Sequence, residues 1–581
     1  MSMVQSLNPG LILILAGLAC LCLPYQRVRQ ALTLIAPLCA IGLLATTPHD
    51  TDLATLNLMG LDLVFYRVDN LGGIFGFAFL IAAFLNAIYA LHQDSWIEDS
   101  SALIYAGAAV AACFVGDFVS LFLFWELTAL SSVFLILKSG TQEAYGAAMR
   151  YLGIQVLSGV LLLYGAAQLY VMGGADISLR ALELGADPGT YALLVAFGIK
   201  AAFPLLHNWL QDSYPKATIV GAVVLSAFTT KLAVYVLARV FPGENVLIWI
   251  GAIMTIFPVF FAVVENDLRK VLAYSLNNQV GFMVCAIGVG TQLAINGAAA
   301  HAFAHIMYKG LLFMSMGAVL LRTGTTKASE LGGLYKSMPW TALFCIIGAV
   351  SISAFPLFSG FIAKSLTMSA VMKGHYLIIW LMLLFASAGV LEHSGIKIPY
   401  FAFFGHDSGR RVKEAPFNML LAMGLASALC IFIGLPTIAG FGHGYLYSLL
   451  PYPDIATAYE PYTFEHILTQ MQLLVLAAFA FVLLQRFGAY PAEKRGLILD
   501  TDWVYRKPLY NLSVWSGAVW NKAVPALTGA IGQYLTGLGQ KSAELFKPQG
   551  AISRGPITDG MAVWAAALLG IVLLVSFYTS G

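Results

Sequence analysis

The 581-residue sequence is poor in charge: 31 Lys and Arg with 29 Asp and Glu make up only 10% of it, against roughly 25% in an ordinary soluble domain. With 59% of residues hydrophobic, a water-soluble globule is excluded. A membrane span takes about 20 residues, so about sixteen spans would use roughly 320 positions and leave the rest for loops and surface helices. The chain is therefore expected to be an all-α polytopic membrane protein. The net charge of +2 points neither to nucleic acid nor to an acidic substrate. Cysteine is scarce as well: the seven residues Cys20, Cys22, Cys39, Cys113, Cys285, Cys345 and Cys430 all fall in apolar stretches and never form a CxxC pair, which excludes a disulfide framework or a cysteine zinc site. No nucleotide-binding loop, cysteine cluster or flavin motif is present, so no cofactor is expected in this chain. The first apolar run lacks a basic segment before it and a small-residue cleavage site after it, and is expected to stay as a span.

What is abundant is apolar sequence. Runs bounded by Gly, Pro or charge lie at about 9–25, 28–46, 70–92, 101–116, 118–137, 148–171, 190–215, 217–240, 246–264, 271–290, 297–321, 339–372, 376–404, 417–437, 466–485 and 562–578. Basic residues of short loops stay on the cytoplasmic side. Arg27/Arg29, Lys138 with Arg150, Arg269/Lys270 and Arg322/Lys327/Lys336 share one parity, which puts the N-terminus outside. Arg410, Arg411 and Lys413 join them only if 339–372 crosses once. That segment contains Ala354-Phe355-Pro356-Leu357, where proline removes a ladder hydrogen bond, so it is expected to be one broken helix. The acidic loop around 452–465 then lies outside, and Arg486, Lys494, Arg495, Arg506 and Lys507 lie inside.

The same tetrapeptide occurs at Ala202-Phe203-Pro204-Leu205, in a run that crosses the other way. Two broken helices of opposite polarity suggest inverted repeats, 101–240 and 246–404, the symmetry with which many transporters build a midplane ion site. Three spans precede them within 1–100, further spans occupy 417–485, and a final span covers 562–578. Between 508 and 547, Leu512, Trp515, Val519, Ala523, Leu527, Ile531, Leu535, Leu538 and Leu545 recur at a helical period among polar residues. This stretch is expected to be a lateral amphipathic helix on the cytoplasmic surface, broken near Pro525; a loosely ordered linker is the competing reading.

Within the apolar runs a few ionisable residues stand out, and such groups by default mark function. Glu126 falls near the middle of a span in Phe-Leu-Phe-Trp-Glu-Leu-Thr. Lys200 precedes Pro204 by four residues, one turn from a helix break where freed carbonyls and water can solvate it, and His207 shares roughly its helix face. Lysine suits a switch, because its proton affinity responds to burial and to a neighbouring carboxylate. Lys231 lies deep in the next span. For these lysines, snorkelling or structural pairing is the alternative. His301, His305 and Lys309 stand at i, i+4 and i+8, a ladder along one helix face over roughly 12 Å. They read as a proton relay, with satisfied core histidines or a metal or haem site as alternatives; no third metal ligand stands at a telling spacing. Lys364 follows the second break, at Pro356, by eight residues. Glu392, His393 and Lys397 form a polar cluster that is either part of the path or an interfacial patch. Asp267, Arg269 and Lys270 read as a solvated loop.

Taken together, Phe124-Trp125-Glu126, Gly198-Ile199-Lys200 with Phe203-Pro204 and His207, Thr230-Lys231-Leu232, Leu272-Ala273-Tyr274-Ser275, His305 through Lys309, and Ser359-Gly360-Phe361 with Lys364 resemble the antiporter-like subunits of respiratory complex I and the homologous A and D subunits of multisubunit Na+/H+ antiporters. The resemblance runs over about 100–435. It implies a fourteen-helix core with two inverted five-helix repeats, and a central hydrophilic axis through Glu126, Lys200, Lys231, the histidines, Lys309 and Lys364. It further implies proton, or Na+/H+, translocation within a multisubunit complex of a bacterial inner membrane. Glu392-His393, Ile396-Lys397-Ile398-Pro399 and Pro416 with Met419 look more like the antiporter D branch, whereas the surface helix plus final span is similar to the distal complex I subunit. Expected partners are other membrane subunits, with a quinone oxidoreductase-type assembly, a soluble enzyme of an inorganic-carbon uptake complex, or self-sufficient antiport as the alternatives. Neither a resident metal nor nucleic acid is expected.

Overall fold

The computed structural model describes residues 6–579 apart from 50, 59, 173–175, 439, 492–495, 497, 546, 548 and 550–556. Lys494 and Arg495, expected inside, lie outside the described residues. The chain divides into two units, Met1–Ile498 and Leu499–Gly581.

Among its described residues, the regular structure of the first unit is helical but for one hairpin. It opens with α1 (Pro9–Cys22) and α2 (Gln26–Thr46), followed by β1 (Asp52–Leu58) and β2 (Leu61–Arg67), an antiparallel pair that hydrophobic periodicity did not reveal. Next come α3 (Asn70–Ala90), α4 (Trp96–Ala112), α5 (Phe118–Leu137) and α6 (Gln142–Met172). Asp117 starts α5: its carboxylate accepts from Ser120 N at 2.7 Å and from Val64 N of β2 at 2.7 Å, so this charge is a helix cap tied to the hairpin.

The run expected at 190–215 is α7 (Pro188–Ala201) and α8 (Asn208–Ser213), and 217–240 is α9 (Ile219–Ala227) and α10 (Thr229–Val240). The interruption at Phe228 went unforeseen, since no proline or glycine marks it. Three long helices follow: α11 (Asn245–Val264), α12 (Leu268–Val289) and α13 (Gln292–Thr323). A Cβ on Gly251 would stand 2.7 Å from Gly281 O, so α11 and α12 pack at backbone contact. The run 339–372 is α14 (Pro339–Ile352) and α15 (Ser359–Lys373). Helix α16 (Leu377–Val390) continues through π-helical turns at Leu391–Ile396 and Tyr400–Phe404. The wider turns accommodate Pro399, whose ring would clash with the carbonyl of Gly395 in a regular helix. Helices α17 (Phe417–Gly434) and α18 (Phe464–Arg486) complete the unit. Among the described residues, eleven helices are long and apolar enough to cross a membrane, with Ile219–Val240 and Leu377–Phe404 each taken as one.

The second unit contains α19 (Tyr510–Leu545) and α20 (Ile557–Thr579). Helix α19 runs through Pro525 without ending, a correction to the expected break: one lost backbone bond is tolerated where both flanking turns persist.

Both Ala-Phe-Pro-Leu segments interrupt a helix in the same way. Ala202 and Leu205 have φ of 62° and 70°, and Ala354 and Leu357 have φ of 59° and 74°. Left-handed backbone at a non-glycine residue costs on the order of 1–3 kcal/mol and persists only where surroundings over-determine it.

Candidate functional site

Lys200, Lys231, His301, His305 and Lys309 are fully inaccessible to solvent, and Lys364 is 3% exposed. A buried ammonium needs acceptors, and each lysine has them.

Lys200, at the end of α7, reaches across to α5. Its Nζ donates to Trp125 O at 2.7 Å and to Thr128 Oγ1 at 2.7 Å, and lies 4.3 Å from the Trp125 ring centroid. Thus it does not use the carbonyls of its own break. Those are served by the chain itself: Phe203 N donates to Gly198 O at 2.9 Å, and Trp209 Nε1 donates to Ile199 O at 2.9 Å. The Trp125 indole is held by Ser158 Oγ at 3.0 Å, and that hydroxyl donates to Ala196 O of α7 at 2.7 Å.

Glu126 is half-buried beside this cluster and senses the Lys200 charge, but no direct ion pair joins them. Among the described residues its Oε1 has no hydrogen-bond partner. The carboxyl leans on Gly159 of α6, where an added Cβ would overlap Oε1. His207 is not on the helix face of Lys200, because left-handed Ala202 ends α7 first; its buried ring instead stands 4.6 Å from that of Phe257.

Lys231 sits just past the Phe228 interruption and donates at 2.5 Å to Ser226 O, a carbonyl which that interruption frees. Tyr105 of α4 bridges the same point, with its hydroxyl 2.5 Å from Thr229 Oγ1 and accepting from Thr229 N at 3.0 Å. Tyr151 faces Thr229 from α6, and its hydroxyl is 2.7 Å from Ser132 Oγ. Since Ser132 lies one turn beyond Thr128 on α5, hydroxyls occupy the space between Lys200 and Lys231. Spacing arguments do not find them, because Ser, Thr and Tyr are unremarkable in a membrane helix.

On α13, His301 Nε2 lies 3.0 Å from Gln279 Oε1 and 3.1 Å from the Tyr308 hydroxyl. Lys309 Nζ donates to Ser275 Oγ at 2.8 Å. Neither ring nitrogen of buried His305 has a hydrogen-bond partner among the described residues, and Lys231, Lys309, His301 and Lys364 all stand within electrostatic range of it. Lys364 donates to Ile352 O at 3.2 Å, a carbonyl freed by the second break, and lies 5.2 Å from the Phe282 ring. A cavity of about 250 Å³ between α15, α16 and α18 reaches Lys364.

His393 and Lys397 are buried and Glu392 partly so, which corrects the reading of an interfacial patch. Lys397 Nζ donates to Val263 O at 2.6 Å and Glu265 O at 2.7 Å, capping the C-terminus of α11. The solvated-loop reading of Asp267, Arg269 and Lys270 also fails for Arg269. It is 3% exposed, and its guanidinium donates to the carbonyls of Tyr214, Ala217 and Thr218 at 3.3, 3.0 and 3.1 Å. The Tyr214 and Thr218 carbonyls also accept from Ala217 N and Ala222 N, and the guanidinium, which carries several donors, gathers all three carbonyls at one place.

The geometry thus gathers two groups. Glu126 and Lys200 form one; Lys231, His301, His305, Lys309, Lys364 and His393 form the other. Pro204 and Pro356 lie at the two breaks that shape them.

Residues 115–391 match the family described as the transmembrane region of NADH:quinone oxidoreductase and the Mrp antiporter. The D subunit of the Na(+)/H(+) antiporter of Alkalihalophilus pseudofirmus is 32% identical over 347 residues, covering 56% of this chain and 69% of that protein. A chain of the Mrp complex from Dietzia sp. has the same fold, with a TM-score of 0.68 at 20% identity, covering 80% of this chain and 100% of that one. A chain of the membrane-bound sulfane sulfur reductase, an archaeal respiratory membrane complex, matches with a TM-score of 0.67 at 20% identity over 98% of this chain and 99% of its own length. This multi-pass membrane chain therefore belongs to the NADH:quinone oxidoreductase/Mrp antiporter family.

Proposed function

We propose that this chain is a proton-translocating subunit of a multisubunit complex in a bacterial plasma membrane, with its N-terminus outside and its basic loops inside. Protons move between the Glu126/Lys200 group and the Lys231–His305–Lys309–Lys364 group, and displacement of Glu126 relative to Lys200 gates the transfer. The observation that carries this reading is the burial of five ionisable side chains and Lys364 beside one another, in a chain otherwise poor in charge. Structural stability alone does not favour such burial, since apolar residues of similar volume would serve as well.

The repeats at 101–240 and 246–404 account for the paired breaks. Protons cross between the groups by way of the Thr128, Ser132, Tyr151 and Thr229 hydroxyls together with water. One charge crossing 100 mV exchanges about 2.3 kcal/mol, which is within what the approach of the Glu126 carboxylate to the buried Lys200 ammonium supplies. The similarity to an antiporter D subunit supports Na+ as a counter-ion. The fold match over 98% of the chain takes in the second unit as well, which supports assembly into a respiratory-type complex.

The deciding experiment reconstitutes the complex containing this chain in liposomes and follows internal pH with a dye. Lys200→Ala is expected to abolish proton movement with all subunits still co-purifying. Transport at the normal rate in that variant removes the mechanism.

A further inference from the structure

His393 lies on the π-helical turn Leu391–Ile396, at the edge of the second group and outside the path proposed above. It is nonetheless joined to that axis by an unbroken chain of short contacts. Its Nδ1 is 2.8 Å from Ser394 Oγ; Ser394 Oγ donates to Ser275 Oγ at 2.7 Å; and Lys309 Nζ lies 2.8 Å from the same Ser275 oxygen. All four side chains are buried. A hydroxyl has one hydrogen, and that of Ser394 is spent on Ser275. His393 must therefore donate through Nδ1, which leaves Nε2 of the neutral ring as a bare acceptor. That nitrogen is buried and without a partner among the described residues.

Beyond the imidazole the groups lead outward. Lys397 acts on His393 from its own helix, and Lys309 and Lys364 from α13 and α15; Glu392, next to His393 in the chain, senses Lys397. Lys397 in turn holds Glu265 O, and the Glu265 carboxylate pairs at 2.8 Å with Lys270, which is 30% exposed. Lys270, in the first turn of α12, belongs to one of the basic segments assigned inside.

We infer that His393, Ser394 and Ser275 form a side branch through which protons exchange between the cytoplasmic surface and Lys309. This rests on the proton-translocating reading above and adds to it an access point on α16. A proton arriving at Nε2 makes the ring cationic. The Nδ1 proton passes to Ser394 Oγ as that hydroxyl releases its own proton to Ser275 Oγ, and Ser275 releases its proton to a neutral Lys309 amine. Three bonds to hydrogen break and three form, and the charge has moved from His393 to Lys309. Rotation of the two hydroxyls restores the wire. The π-helical turn, in which the regular i→i−4 ladder is relaxed, places His393 and Ser394 together on this inner face.

The test uses the reconstituted complex and the internal pH dye. Ser394→Ala removes one oxygen and is expected to slow proton flux about tenfold. His393→Gln, which keeps a donor but cannot titrate, is expected to slow it about a hundredfold, since a positioned proton-transfer group typically contributes 10²–10⁴-fold. The flux of His393→Gln is also expected to lose one step of the wild-type pH profile, which a merely structural histidine would leave in place. Ser394→Thr, with its hydroxyl kept, restores the flux. Should His393→Gln fail to assemble, Ser394→Ala decides alone. Wild-type flux in Ser394→Ala while Lys200→Ala is inactive overturns the branch and spares the main path; wild-type flux in Lys200→Ala overturns the reading beneath both.

Discussion

The two Ala-Phe-Pro-Leu breaks have one sequence and one backbone conformation, yet their lysines do opposite things. At the first, Lys200 stands upstream of the break and turns away to the carbonyl of Trp125 on α5, while the Ile199 carbonyl accepts from Ala202 N and from the indole of Trp209. At the second, Lys364 stands downstream and itself satisfies the freed Ile352 carbonyl. Helix α18 adds Gln470, whose Nε2 donates to Ser353 O at 3.1 Å, and the Tyr462 hydroxyl accepts from Leu357 N at 3.2 Å. The first break is thus self-sufficient, and its lysine is free to answer a neighbouring carboxylate. The second is closed by its own lysine and by a peripheral helix. A repeated motif fixes the local bend, and the side chains that complete it decide what the bend does.

The contrast is sharpest in a matched pair of variants. Lys200→Met and Lys364→Met are both expected to stop proton movement, but only Lys364→Met strips a break of its donor, leaving a buried carbonyl bare at about 1–3 kcal/mol. Hydrogen exchange of residues 353–358 in the purified protein should accelerate in Lys364→Met, whereas residues 200–206 should stay protected in Lys200→Met. Equal protection at both breaks would end the distinction. Next in size, Gly159→Ala is expected to lower proton flux on the order of tenfold, equivalent to about 1.4 kcal/mol in a barrier, because the new methyl group occupies the place of the Glu126 carboxyl oxygen. No titratable group is changed, so unaltered flux would show that the position of Glu126 is immaterial to Lys200. Trp209→Phe removes one of the two donors to the Ile199 carbonyl and should destabilise the first break alone, by about 0.5–1.5 kcal/mol, read as a lowered melting temperature with the second break still protected from exchange.

The smallest effect concerns the loop that follows the π-helical turn Tyr400–Phe404. Arg411, then Lys336, donates to the Asp407 carboxylate and holds it well below the usual carboxylate range. A lowered folded value means that the group stabilises the fold fully above its unfolded value near 3.8, and that this contribution fades as pH falls through the still lower folded value. The group is exposed, so water screens the interaction. Asp407→Asn should shift the midpoint of acid unfolding slightly and leave melting at neutral pH almost unchanged.

Much of this architecture is legible in the residues. The run 118–137 coincides with α5, and 246–264 is within a residue of α11, because a bilayer imposes both length and apolarity on a span. The lysines and histidines are conspicuous because so few charges interrupt those runs. The hydroxyls of Ser275, Ser394, Thr128 and Tyr151 are not, since such residues occur in any helix and take on meaning only through the partner they meet. The interruption at Phe228 carries no proline or glycine signal; Tyr105, more than a hundred positions away, contacts it. Arg269 reads as a loop charge until the three carbonyls it serves come into view.

Composition and hydropathy by themselves determined that the chain spans a membrane, roughly where most of its helices lie, where proline breaks two of them, and that Lys200, Lys231, His301, His305, Lys309 and Lys364 are buried. These follow from the cost of placing charge and unpaired backbone in hydrocarbon, a cost that every residue incurs individually. Which acceptor each ammonium finds, that Glu126 rests on a glycine of α6, and that two serines join His393 to Lys309 were decided only by the packing of distant helices. A hydrogen bond depends on tenths of an ångström between residues that stand far apart along the chain, and no local pattern encodes that distance.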